Sequence, residues 1–110
     1  MKIEGKKIEF YYLYGTDNKQ EKKSRIMEYR KINDIDFGFY ESKNNKVFHA
    51  IHLDSGLSVV ELESKGYKQE TGFSVLAEKV RKIPKTKFEK ILPKTKKRVE
   101  AWGFDFPLNG

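Results

Sequence analysis

The feature that most constrains this chain is a change of hydrophobic period. Ile35, Phe37 and Phe39 alternate with Asp36, Gly38 and Tyr40. Val47, His49, Ile51 and Leu53 then alternate with Phe48, Ala50 and His52. A period of two puts successive side chains on opposite faces of a strand. After Gly72 the spacing becomes helical: Leu76, Val80 and Ile83 fall at i, i+4 and i+7, with Phe73 and Ala77 beside them. Strands precede helices, so the expected class is α+β. The expected architecture is an antiparallel β-meander of three to five strands, packed on one face by two or three short C-terminal helices.

The strands can be placed further. Ile8 to Tyr14 is dense in β-branched and aromatic residues and ends at Gly15. In that strand Phe10, Tyr12 and Tyr14 share a face. Residues 15–23 are polar and read as a loop or a helix start that Thr16 or Asp17 would cap. Ser24 to Ile32 fits either a strand or a helical stripe. A strand is preferred, because a helix over 17–32 would have no apolar residue in its first two turns. Asn44-Asn45 is the expected two-residue primed turn of the central hairpin, since Asn tolerates positive φ. Asp54-Ser55-Gly56 turns into a strand from Leu57 to Leu62, which Ser64-Lys65-Gly66 closes.

The helical part is punctuated by prolines. A helix over 74–83 stops at Pro84. Phe88, Ile91 and Leu92 mark a short second helix, capped by Thr86 and broken by Pro93. A third is expected from Lys94 to Trp102, ended by Gly103. Phe104-Asp105-Phe106-Pro107 reads as a docking tail. The whole is one domain over 1–110: β-rich 1–66, a basic helical segment 72–103 and an extended tail 104–110. No run of 18 apolar residues exists, so no spanning helix is expected. No apolar segment follows the charged start, so a signal peptide is not read and a cytoplasmic location is expected. Eight Phe, six Tyr and one Trp supply enough aromatic surface to anchor a core.

Charge is concentrated. The chain carries 23 Lys+Arg against 16 Asp+Glu, a net +7. Residues 79–98 hold ten cations: Lys79, Arg81, Lys82, Lys85, Lys87, Lys90, Lys94, Lys96, Lys97 and Arg98. They hold one acid, Glu89, so this segment alone carries +9 and the remainder sums to −2. A self-repelling cluster of this kind is neutralised best by a polyphosphate backbone, which releases counterions on binding. Lys far outnumbers Arg, which favours phosphate contact over base-specific reading. Trp102 closes the segment, and exposed rings beside a basic groove stack unpaired bases. Candidate rings are Phe10, Tyr12 and Tyr14, Tyr40 with Phe48, or Trp102; Tyr11, Tyr40 and Tyr67 are expected to be partly exposed. The expected function is therefore non-enzymatic nucleic-acid binding, DNA or RNA, through the ten cations and Trp102. The alternative is a small protein-interaction module, such as an accessory or inhibitor protein of a mobile element, whose basic face docks an acidic partner. A membrane partner is not expected, because two prolines interrupt the segment and its short apolar stripes are used by the core.

Signals for chemistry are thin. His49 and His52 would point to opposite faces of one strand and cannot hold one metal together. The pairs Asp34/Asp36 and Glu61/Glu63 would each share a face, but with a strand between them. The chain has no Cys and no glycine-rich phosphate loop. No cofactor is expected.

Overall fold

The structure, a computed structural model, describes residues 3–4, 6–16 and 19–106, with side chains for 6–15 and 19–106. The possible cap at Asp17 and the tail from Pro107 onward lie outside them. Strands β1 (Ile3–Glu4), β2 (Lys7–Thr16), β3 (Lys19–Ile32), β4 (Ile35–Ser42), β5 (Val47–His52) and β6 (Leu57–Glu63) precede helices α1 (Gln69–Arg81) and α2 (Lys85–Ala101). The strands form one antiparallel sheet in sequence order, a continuous meander. The α+β class and the antiparallel meander stand as expected; β1, of two residues, extends the sheet to six described strands.

The stretch that reads as either strand or helix is the longest strand. β3 pairs Thr16 with Lys19 and continues without interruption to Lys7 opposite Glu28. On its other side it meets β4 only from Glu28 to Ile32. The outer half of the β2–β3 hairpin is thus two strands wide. Such a ribbon tolerates polar residues on both faces, which is why its sequence does not alternate cleanly.

The primed turn sits elsewhere than expected. Asn33 and Asp34 have φ of 54° and 64° and join the directly paired Ile32 and Ile35. That is the two-residue geometry expected at Asn44-Asn45. Ser42 and Val47 instead bracket four residues, of which Lys46, not an Asn, takes positive φ at 53°. Ser64 N–H bonds to the Lys46 carbonyl at 2.8 Å, which anchors the end of this loop to the end of β6.

The helices cover one face. Phe73 of α1 sits edge-on to Phe39 and Phe48, and Phe88 of α2 edge-on to Phe37. These rings, with Ile32, Ala50, Leu76, Ala77 and Val80, make the larger core. A second buried cluster, Ile8, Phe10, Met27, Ile51 and Leu53, occupies the opposite face. The expectation of burial on one face alone is therefore incomplete. The sheet curls on itself: a Cβ on Gly56, in the β5–β6 turn, would lie 3.6 Å from the Phe10 ring of β2. Gly38 permits the curl, since a Cβ there would meet Met27 Cε at 2.5 Å.

Both helix boundaries differ from the spacing-based expectation. α1 starts at Gln69, ahead of Gly72, and contains that glycine. A Cβ on Gly72 would lie 2.3 Å from Phe48, so the glycine marks close helix–sheet approach and not a helix start. The expected second and third C-terminal helices are one. Pro93 lies inside α2, and Phe88, Thr95 and Val99 line up as its buried side. Proline removes one backbone bond and crowds the preceding turn. Docking on both sides of Pro93 holds the helix continuous, and Thr95 Oγ1 donates to the Ile91 carbonyl at 2.9 Å.

Candidate functional site

The ten cations are all exposed, but they do not form one patch. Lys79, Arg81 and Lys82 sit at the C-terminal end of α1, where positive charge complements the helix dipole. Arg81 pairs with Glu78, and the Arg81 carbonyl accepts from Asn33 Nδ2 at 3.2 Å. Lys85 opens α2, with Nζ 4.0 Å from Asp34. The remaining six cations are on α2. At 100° per residue, Lys87, Lys90, Lys94 and Lys97 fall along one flank at i, i+3, i+7 and i+10, with Arg98 beside them. Lys96 lies on the other flank with Glu89 and Glu100. A helix broken at Pro93 would have put Lys87 and Lys90 on a different axis from Lys94 and Lys97.

The curl of the sheet brings the end of α2 against β2. A cavity of about 220 Å³ separates them, lined by Phe10, Tyr12, Leu53, Val99, Trp102 and Arg98 among others. Trp102 is half-buried there. Arg98 and Trp102 thus border the same space as Tyr12.

Tyr12 belongs to a second constellation, on the sheet face away from α1. The Arg25 guanidinium lies 4.4 Å from the Tyr12 ring centroid and 4.1 Å from that of Tyr40. Tyr40 stacks on His49, centroids 4.9 Å apart and planes 15° from parallel. Lys23 Nζ stands 4.3 Å over the ring of Tyr14, which is 60% exposed. On the other face of the hairpin Lys22 stands 4.8 Å over Tyr11. Register explains the alternation: Tyr14 opposes Glu21 and Tyr12 opposes Lys23, so each ring on β2 meets the cation two residues along β3, diagonally across the pair. Each exposed cation–π contact is worth about 0.5–1 kcal/mol. The row Tyr14, Lys23, Tyr12, Arg25, Tyr40, His49 crosses four strands, with Glu21 and Glu61 at its two ends.

The aromatic candidates divide accordingly. Phe10 is 2% exposed and belongs to the core. Tyr40 does not act with Phe48, because Phe48 is fully buried under α1 on the opposite face. Tyr11 and Tyr67 are exposed and Tyr40 is half-buried, as expected. Lys22, Lys23 and Arg25 are not among the residues that local charge density singles out. Their signal is the alternation of Tyr12 and Tyr14 facing a cationic stretch across one tight hairpin, and it becomes readable only once Thr16 is paired with Lys19.

His49 and His52 occupy opposite faces. Burial pushes the His49 imidazole below its usual value and Arg25 adds to this, while Glu61, at 3.5 Å, pulls it back up. Burial also lowers His52, against the pull of Asp54. Asp36 accepts a hydrogen bond from Tyr29 Oη, and Asp34 lies in the β3–β4 turn. Among the described residues, no three of His, Asp and Glu come close enough to hold a metal ion, and no helix is long and apolar enough to cross a membrane.

No protein-family model, curated protein or solved structure matches this chain.

Proposed function

We propose that this chain is a non-enzymatic nucleic-acid-binding protein that grips phosphates with low sequence preference. The observation that carries the reading is the continuity of α2 through Pro93. It aligns Lys87, Lys90, Lys94 and Lys97 in one stripe without acids. Ten residues of helix rise about 15 Å, a length of duplex axis along which one strand places roughly four phosphates, at about 3.4 Å of axial rise each. Lys suits this task, being a flexible point charge without the planar fork that reads base edges. The cations of α1, Lys85 and Lys96 add to the attractive field without sharing the stripe.

The test is binding of labelled DNA and RNA, followed by fluorescence anisotropy as salt is raised. Affinity that falls linearly on a log–log salt plot is expected. The joint charge reversal Lys90→Glu, Lys94→Glu and Lys97→Glu, at exposed positions, is expected to abolish it. Binding unchanged by that variant, or no binding at low salt, removes the reading. The latter result directs the search to an acidic protein partner.

A further inference from the structure

We propose that the face of the sheet opposite α1 is a binding site for an unpaired polynucleotide strand, whose bases stack on Tyr14, Tyr12 and Tyr40. The proposal deepens the phosphate-binding reading and rests on it. It assigns a second surface and restricts the form of the nucleic acid.

Three features of this face favour that occupant. Its rings are spaced across successive strands and flanked by Lys23 and Arg25, which supply the positive charge a strand needs beside each base. Tyr14 is the most exposed large apolar side chain among the described residues, at the outer end of a hairpin that projects past β4. The row also runs into the cavity shared by Tyr12, Trp102 and Arg98, which joins it to the basic flank of α2. A strand can therefore pass from the rings to the lysine stripe by way of Arg98, with Asp54 the acid that also lines this passage.

Arg25 is a placeholder in this arrangement. Its guanidinium occupies the space between Tyr12 and Tyr40 that a base would take. A base in that space would stack on Tyr12 and Tyr40 together, replacing the two ring contacts of Arg25 in kind, while the freed guanidinium gains a phosphate. The long side chain swings out and is free to pair with phosphate. A duplex cannot make this exchange, because its bases are already stacked on one another. Rings and flexible cations read base faces and phosphates, features common to all sequences, so little base preference is expected.

The experiment compares a labelled oligothymidylate 20-mer with a mixed-sequence duplex of equal length, at one fixed salt concentration. Wild type is expected to bind the single strand at least about tenfold more tightly. Tyr14→Ala, at an exposed position, is expected to weaken single-strand binding about 5- to 50-fold and leave the duplex unchanged. Tyr14→Phe keeps the ring and is expected to stay within about twofold of wild type. Arg25→Ala combined with Tyr14→Ala gives a second reading if the tyrosine contributes little alone. Equal affinity for both forms, with neither variant altering single-strand binding, overturns the proposal while the lysine stripe keeps its role. Loss of all binding on charge reversal of the stripe, with the tyrosine variants silent, overturns it equally. No binding of either form at low salt overturns both readings.

Discussion

The imidazole of His52 stacks on the ring of Phe88, with centroids 4.7 Å apart and planes 25° from parallel. This contact ties the end of β5 to the first turn of α2, and Ser55 Oγ holds the same imidazole through Nδ1 at 2.8 Å. Burial favours the neutral ring and lowers its pKa from 6.5. The unfolded chain therefore binds a proton more readily than the folded one. Stability from this site is fully present above about pH 6.5 and is lost as the pH falls through the lower folded value. The melting temperature is expected to drop on going from about pH 7.5 to about pH 5. His52→Phe, which keeps a ring against Phe88, is expected to reduce that drop; a pH profile identical to wild type would contradict the assignment.

Tyr29 gives the opposite pH dependence. Its hydroxyl donates to Asp36 Oδ1 at 2.5 Å, and this bond, with burial and the carboxylate charge, pushes its pKa up to about 12. A raised pKa means stability present below about pH 10 and lost as the pH climbs toward 12. The stability gap between wild type and Tyr29→Phe is expected to narrow over that interval. Urea midpoints measured at several pH values read it directly.

Pro93 forfeits one backbone hydrogen bond in the middle of α2 and points to solvent. An interior proline costs on the order of 3 kcal/mol relative to alanine. Pro93→Ala is expected to recover about 1–3 kcal/mol in urea unfolding without weakening nucleic-acid binding, since the lysine stripe is already aligned. A destabilised variant would show that the chain bends at Pro93.

Gly72 touches the sheet through the absence of a side chain. A Cβ there would fall within 2.3–2.7 Å of three atoms of the Phe48 ring, itself fully buried. Gly72→Ala must displace α1 or rotate Phe48. The expected cost is about 1–3 kcal/mol, despite the better helix propensity of alanine. Thermal unfolding followed by circular dichroism measures it.

Removing lysines one at a time tests the stripe more finely than charge reversal. Lys87→Ala, Lys90→Ala, Lys94→Ala and Lys97→Ala are each expected to reduce the slope of log affinity against log salt by about 0.7–0.9. Lys96→Ala, on the other flank, is expected to change it less. Equal effects at Lys94 and Lys96 would mean that the helix acts as a diffuse charge and not as an oriented stripe.

The outline was legible where one residue pattern allowed one geometry. Alternation from Ile35 to Leu53 can only be a hairpin with two distinct faces, and it placed His49 and His52 on opposite sides. The spacing of Phe73, Leu76, Ala77 and Val80 marks a helix with one buried side, while Ile83, which the same spacing includes, falls just beyond the end of α1. Local charge counting found Lys87, Lys90, Lys94 and Lys97, because density along the chain does not depend on the fold.

What remained open depended on partners distant in sequence. Residues 19–32 are a strand because β2 supplies hydrogen bonds along almost their whole length, a fact absent from their own composition. α2 continues through Pro93 because Phe88 and Val99 both dock, and packing there outweighs a local preference. Phe10 and Tyr14 look alike as members of one strand face. The curl of the sheet buries the first against Leu53 and Gly56 and leaves the second exposed beside Lys23. The sequence by itself thus determined the order of elements and the place of the charge. Tertiary structure decided which rings and cations meet, because cross-strand register and sheet curvature bring together residues that no local spacing relates.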